Sequence, residues 1–255
     1  MRKTIPCLGG LEIAMAENAL LNQLRREVQR LEGSRPWEDR PPVLSTGIAA
    51  LDRILPENGL RAGSLTEWLS PGWGGGAGLL ALLAAREACY EGGALVVIDR
   101  QAGFYPPAAA ALGIDLESVI LVRPASAADE GWALEQALRC EGVAAVWAQV
   151  DAIDWRTFRR LQLAAESQHA LGMLIRSSQR RGEPSWSEVQ FLVEPRPSSD
   201  ARRLRVELTR GRAQVGAAVE LEIDEVAGAV REATRPPAMG AFSLNSAAGL
   251  VLKPA

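Results

Sequence analysis

Between residues 64 and 175, short and wholly apolar runs alternate with longer segments of helical texture. Strands are expected at Ser64–Leu69, Ala94–Ile98, Val119–Val122, Val143–Val150 and Gly172–Ile175. Helices are expected at Gly78–Tyr90, Pro107–Leu112, Asp129–Cys140 and Asp154–Gln168. A strand that is apolar at every position must be covered on both faces, and intervening helices do this in a mostly parallel α/β sheet. After Ser185 the texture changes. Glu188–Glu194, Leu204–Thr209 and Ala218–Ile223 follow one another without helices between them, which predicts antiparallel strands added to one edge.

The flanks differ from this core. Leu21, Leu24, Val28 and Leu31 are spaced 3, 4 and 3, the stripe of an amphipathic helix within residues 1–33. Such a helix either folds back on its own core or docks on another chain. Residues 34–44 contain three prolines, each holding its predecessor extended, and read as a linker. The core then runs over 45–225. Ala, Gly, Ser and Pro dominate residues 226–255, expected as a flexible tail, with a short helix at Glu225–Ala233.

Composition removes several classes of function. Three scattered cysteines and the single His169 provide neither a zinc site of the usual Cys/His kind nor a disulfide framework. No apolar run reaches the roughly 18 residues of a membrane span, and the N-terminus lacks the apolar stretch of a signal peptide, so a cytoplasmic protein is expected. The net charge of -3 is unevenly spread. Residues 156–212 hold 12 arginines against 6 acids. A basic module in an acidic chain points to nucleic acid or to an acidic partner.

The expected strand ending at Leu69 leads through Ser70-Pro71-Gly72-Trp73-Gly74-Gly75-Gly76-Ala77-Gly78 into a helix, the position of a phosphate-binding loop. Such a loop cradles phosphates with backbone amides, while a lysine reaches the outer phosphates and a Ser or Thr hydroxyl holds magnesium. Those two places read Gly76-Ala77 or, one residue later, Ala77-Gly78, and no lysine occurs between residues 4 and 252. Phosphoryl transfer depends on the missing charges, so neither catalysis nor a bound cofactor or metal is expected.

Ser45-Thr46-Gly47, Leu51-Asp52, Gly59-Leu60, Gly63 and Glu67, followed by the loop, Ala94–Asp99, Leu112–Asp115 and the later strands to Ile223, resemble the RecA family. The resemblance implies a RecA-like sheet. It places the family's phosphate-loop lysine and threonine on Gly76 and Ala77, its catalytic glutamate on Gln101, and its Walker B aspartate on Val150 or Asp151. A narrower resemblance is to the ImuA family, RecA-like accessory proteins of bacterial damage-induced mutagenesis. It rests on Arg139–Gly142, Arg159–Glu166, Leu174–Arg176, Arg203–Gly211 and Val219–Asp224. It implies a non-catalytic scaffold for SOS-induced translesion synthesis, in contact with RecA and an ImuB-like polymerase homologue. The alternatives are a SulA-like inhibitor of the division protein FtsZ and an ATP-binding protein with an atypical loop.

The candidate sites follow. The relic loop comprises Gly72, Gly74, Gly75, Gly76, Ala77 and Gly78, with Gln101 at the degenerate catalytic position. Leu21, Leu24, Val28 and Leu31 form the candidate partner surface. Arg176, Arg180, Arg181 and Trp186, where the family carries a DNA-binding loop, and Arg202, Arg203 and Arg205 are candidates for single-stranded DNA or an acidic partner. A solvated strand face is the plainer reading of the last three. Asp99 is expected to cap a turn and Asp154 a helix. Trp68, Trp132, Trp147 and Trp155 are expected in the core. Trp73 is the candidate to fill the loop's pocket. Homo-oligomers are compatible with all of this.

Overall fold

A computed structural model describes residues 41–72, 74–198, 201–212, 214–224 and 229–233. The stripe of Leu21, Leu24, Val28 and Leu31, Trp73 and most of the C-terminal tail lie outside the described residues. From Val43 onward the chain forms one unit. It opens with β1 (Val43–Leu44), paired antiparallel with β2 (Leu60–Arg61). Between them lies the short helix α1 (Ala49–Asp52). Asp52 explains the opening motif: its carboxylate accepts from the Thr46 N–H at 2.9 Å, from Thr46 Oγ1 at 2.7 Å and from Ser45 Oγ at 2.6 Å.

The main sheet has nine strands. They are β3 (Leu65–Ser70), β4 (Ala94–Ile98), β5 (Val119–Val122), β6 (Val143–Gln149), β7 (Leu171–Ser177), β8 (Val189–Arg196), β9 (Arg202–Arg210), β10 (Ala218–Asp224) and β11 (Ala229–Glu232). Their spatial order is β11-β10-β9-β8-β3-β7-β6-β4-β5. The helices between strands are α2 (Ala77–Ala88), α3 (Pro106–Ala111), α4 (Ala127–Leu138) and α5 (Trp155–Gln168). Leu80, Leu83 and Ala109 of α2 and α3 join Trp68, Val97, Trp147, Phe191 and Leu204 in one core cluster. Leu134, Leu138, Phe158 and Leu161 of α4 and α5 join Leu65, Val96, Ile98 and Leu174 in the other. The parallel strands β3, β4, β6 and β7 are thus covered on both sides, which is why they read as mainly apolar runs, with Glu67 of β3 and Arg176 of β7 as buried exceptions.

The helices begin where side chains supply the missing acceptors. Asp154 caps α5, accepting from the N–H groups of Arg156 (3.0 Å) and Thr157 (3.1 Å). Ser126 accepts from the Asp129 N–H at 3.2 Å and starts α4 at Ala127, two residues before the expected position.

Two expectations are corrected at the added edge. β8 is not antiparallel to its inner neighbour: it runs parallel to β3 and only β9, β10 and β11 alternate in direction. The chain leaves β7, passes β3 and enters on its far side, so β8 takes the direction of the parallel set. Residues 229–232 form β11, antiparallel to β10, instead of a helix. Val230 there packs against the core while Arg231 and Glu232 are polar, and backbone pairing to β10 fixes the strand. No helix among the described residues is long and apolar enough to cross a membrane.

Candidate functional site

The glycine loop sits between the end of β3 and α2, and its backbone turns tightly. Ser70 Oγ donates to the Gly72 carbonyl at 2.8 Å, and the Gly75 N–H donates to the same oxygen at 3.1 Å. Gly76 caps α2 with φ +93°, a left-handed conformation that disfavours any side chain. A Cβ on Gly76 would meet Leu204 Cδ1 at 2.5 Å and Cδ2 at 2.9 Å. Leu204 is fully buried on β9, so the space where a side chain at Gly76 would start is already occupied.

Two residues on, at Gly78, the loop is flanked from β6. A Cβ on Gly78 would meet the Trp147 ring at 3.2 Å, and Trp147 Nε1 donates to the Gly78 carbonyl at 3.1 Å. Arg202 of β9 reaches over the loop and donates to the Gly74 carbonyl. A cavity of about 290 Å³ remains beside Gly74–Gly78, walled by Phe104, Tyr105, Trp147 and Gln149. Phe104 and Trp147 stack obliquely, with ring centroids 5.9 Å apart.

At the strand ends beside the loop, Gln101 Nε2 donates to Asp151 Oδ2 at 3.3 Å. The position read as a lost glutamate and Asp151, one of the two positions of the open register, are therefore neighbours. Asp99 is fully buried and accepts from the N–H groups of Gly103 (2.8 Å) and Phe104 (3.1 Å), the turn cap expected of it. Among the described residues no group of three or more His, Cys, Asp or Glu side chains is placed to hold a metal ion.

On the other face of the sheet the basic segment is largely consumed by its own acids. Arg176, expected at the surface, is buried with 2 % exposure. It pairs with Glu67, itself fully buried on β3, and with Glu183 at 3.0 Å. The second Glu67 oxygen accepts from Ser185 Oγ (2.6 Å), Ser187 Oγ (2.8 Å) and Gln190 Nε2 (2.9 Å). Burial pushes the Glu67 carboxyl up, but the hydrogen bonds from Ser185, Arg176 and Ser187 and the Arg176 charge outweigh it and hold the group below its ordinary value. The physical reason for the correction is this partner: an arginine beside a buried carboxylate is itself drawn into the core.

The other candidate arginines are also committed. Arg180 pairs with Glu183 at 2.8 Å, Arg181 with Glu207 at 3.2 Å, Arg203 with Glu222 at 3.3 Å and Arg205 with Glu207 at 2.9 Å. They form no joint basic patch.

Four residues outside the candidate sites stand out. Trp155, expected in the core, is 60 % exposed, and Trp132 is 64 % exposed. Arg156 lies 5.5 Å from the Trp155 ring centroid, and Arg159 lies 4.6 Å from that of Trp186. Phe158, Leu161 and Ala165 bury the inner side of α5. That periodicity was the available signal that Trp155 and Arg159, four residues apart, lie on the outer side.

Comparison with known proteins places the chain. No family model matches it. It is 32% identical over 199 residues to protein ImuA of Caulobacter vibrioides, covering 67% of this chain and 79% of that protein. It is 38% identical over 84 residues to RecA of Chlorobaculum tepidum, covering 33% of this chain and 24% of that one. The crystal structure of the RadB recombinase superposes with a TM-score of 0.60 at 18% identity, over 75% of this chain and 100% of that chain. At that identity the superposition bears on the fold alone, and the fold is RecA-like.

Proposed function

Because this chain belongs to the ImuA family of RecA-like proteins, we propose that it is a non-catalytic accessory scaffold in SOS-induced translesion synthesis. It works by contacts with RecA and with an ImuB-like polymerase homologue in the cytoplasm. The observation that carries the non-catalytic half is Leu204. It fills the space beside Gly76 from which a phosphate-gripping lysine would extend, and Trp147 closes the space beside Gly78. A loop with glycine and alanine at those positions offers amides but neither the cation nor the metal-binding hydroxyl that phosphoryl transfer requires. The apolar stripe Leu21, Leu24, Val28 and Leu31, read from the sequence, is the surface assigned to partner contact.

Two measurements on the full chain test this reading. Titration with magnesium and ATP is expected to give no saturable heat and no phosphate release above background. Capture of the tagged protein from its own cells after DNA damage is expected to recover RecA and the ImuB-like protein, and Leu24→Asp with Val28→Asp is expected to lose them. Magnesium-dependent ATP turnover would overturn the non-catalytic half. Recovery of FtsZ in place of RecA would overturn the mutagenesis half in favour of a division inhibitor.

A further inference from the structure

The arginines of the described residues are almost all spent inside the molecule. Arg53, Arg61, Arg86, Arg100, Arg139 and Arg160 pair with glutamates, as do those of the basic segment described above. Arg202 and Arg210 donate to backbone carbonyls. Arg156 and Arg159 differ: neither has a carboxylate partner among the described residues. Each instead lies over an exposed tryptophan, Arg156 over Trp155 and Arg159 over Trp186, whose own exposure is 44 %. A guanidinium held against a ring keeps its outer N–H edge available for a carboxylate or phosphate. Leu163, four residues beyond Arg159, is 45 % exposed and continues the stripe that starts at Trp155.

The platform is also firm. Trp186 stands between Ser185 and Ser187, both of which donate to the buried Glu67 carboxylate. Its loop is therefore tied to the sheet, and little freedom is lost when a partner settles on it.

We propose that the outer face of α5, with Trp155, Arg156, Arg159, Leu163 and Trp186, is the docking site for a short acidic segment of a partner protein, one that carries an apolar anchor between its carboxylates. The surface chemistry selects this occupant. Trp and Arg are the residue types that dominate protein hot spots, and two uncommitted cations match two carboxylates. Single-stranded nucleic acid fits less well. A strand held at physiological salt neutralises several phosphates, and only two guanidiniums are uncommitted on this face of a chain with net charge -3. The assignment goes beyond the accessory role and holds whichever pathway the chain serves.

The test uses the full chain and fluorescence anisotropy with three labelled probes. One is a peptide of alternating Asp or Glu with Leu and Phe, the second its Asn/Gln counterpart, the third an oligo-dT strand. The acidic peptide is expected to bind roughly tenfold or more tighter than its amide counterpart. Arg156→Glu with Arg159→Glu is expected to abolish that binding, and Trp186→Ala to weaken it roughly tenfold. Arg205→Ala, on β9 away from α5, is expected to leave it unchanged. Circular dichroism confirms that the variants fold, since all the altered side chains are at least partly exposed. Tighter binding of oligo-dT than of the acidic peptide, acidic binding that survives the double charge reversal, or no binding of the acidic peptide would each overturn the proposal.

Discussion

The two faces of the sheet treat charge in opposite ways. On the α2 face, the loop that a nucleotide would need is closed by Leu204 and Trp147, and the one cation above it, Arg202, reaches a carbonyl of the loop itself. On the α5 face, charge is abundant: a buried Glu67–Arg176 pair supports a surface loop, and beside it two arginines stack on exposed rings. The first face presents a glycine loop with Leu204 and Trp147 packed against it. The second spends one ion pair on rigidity and keeps two cations uncommitted. The geometry of the loop is fixed from the sheet, by Ser70 at the end of β3, Trp147 of β6 and Leu204 of β9.

The comparison breaks most sharply at Arg176. Arg176→Met leaves Glu67 charged and unpaired in the core and is expected to cost about 3–5 kcal/mol, measured by chemical denaturation. A cost below about 1 kcal/mol, the range of exposed pairs, would mean that the buried pair does not hold the loop. The pH dependence carries the sign. In the native protein the Glu67 carboxyl lies below its unfolded value. Its contribution is therefore present above the unfolded carboxylate range and is lost as pH falls through the folded value. Without Arg176 the folded value rises, because burial is then opposed only by the hydrogen bonds that remain, such as those from Ser185 and Ser187. The variant is then expected to gain stability, relative to the native protein, as pH falls from 7 to 4, and an unchanged difference across that range would contradict the assignment of the shift to Arg176.

The loop face gives the next effect. Gly76→Lys places a side chain at φ +93° against Leu204 and is expected to destabilise by about 1–3 kcal/mol. If Leu204 is the obstacle, Leu204→Ala costs about 2–5 kcal/mol in the native background and distinctly less in the Gly76→Lys background, since the cavity then receives the new side chain. A double-mutant cycle by thermal or urea unfolding measures this coupling. Additive losses would show that Leu204 and residue 76 do not compete for one space.

These features were unequally legible in the sequence. The alternation of strand and helix was readable because the strands are mainly apolar, and β4 and β5 fall where the apolar runs place them. The direction of β8 was not, because a crossover past β3 sets it and the residue pattern of a strand has no direction. The glycines located the loop, but Leu204 lies far along the chain from Gly76, and no local pattern announces that contact. Arg176 read as a surface cation because its partner Glu67 is 109 residues away. Trp155 read as core by residue type alone. The spacing of Phe158, Leu161 and Ala165 already fixed the buried side of α5, and applying that periodicity to Trp155 and Arg159 would have found the outer face.

The smallest effect is expected where the two faces meet the added strands. Leu204, Val206 and Leu208 of β9 point into the core on the α2 side. The alternate residues Arg203, Arg205 and Glu207 lie on the opposite side of the sheet. They join Glu194, Glu222 and Arg231 in ion pairs within and between strands, at 2.9 to 3.7 Å. Pairs this exposed to water contribute little each: Arg205→Ala is expected to change stability by about 0–1 kcal/mol, less at high salt. Their alternating signs explain why the arginines of this strand do not make a basic surface. Neutralising the acids by Glu194→Gln with Glu207→Gln should therefore uncover one, with oligo-dT binding appearing at low salt where the native protein shows none. If the native protein already binds the oligonucleotide through Arg203 and Arg205, the internal pairing of these strands is weaker than their geometry implies.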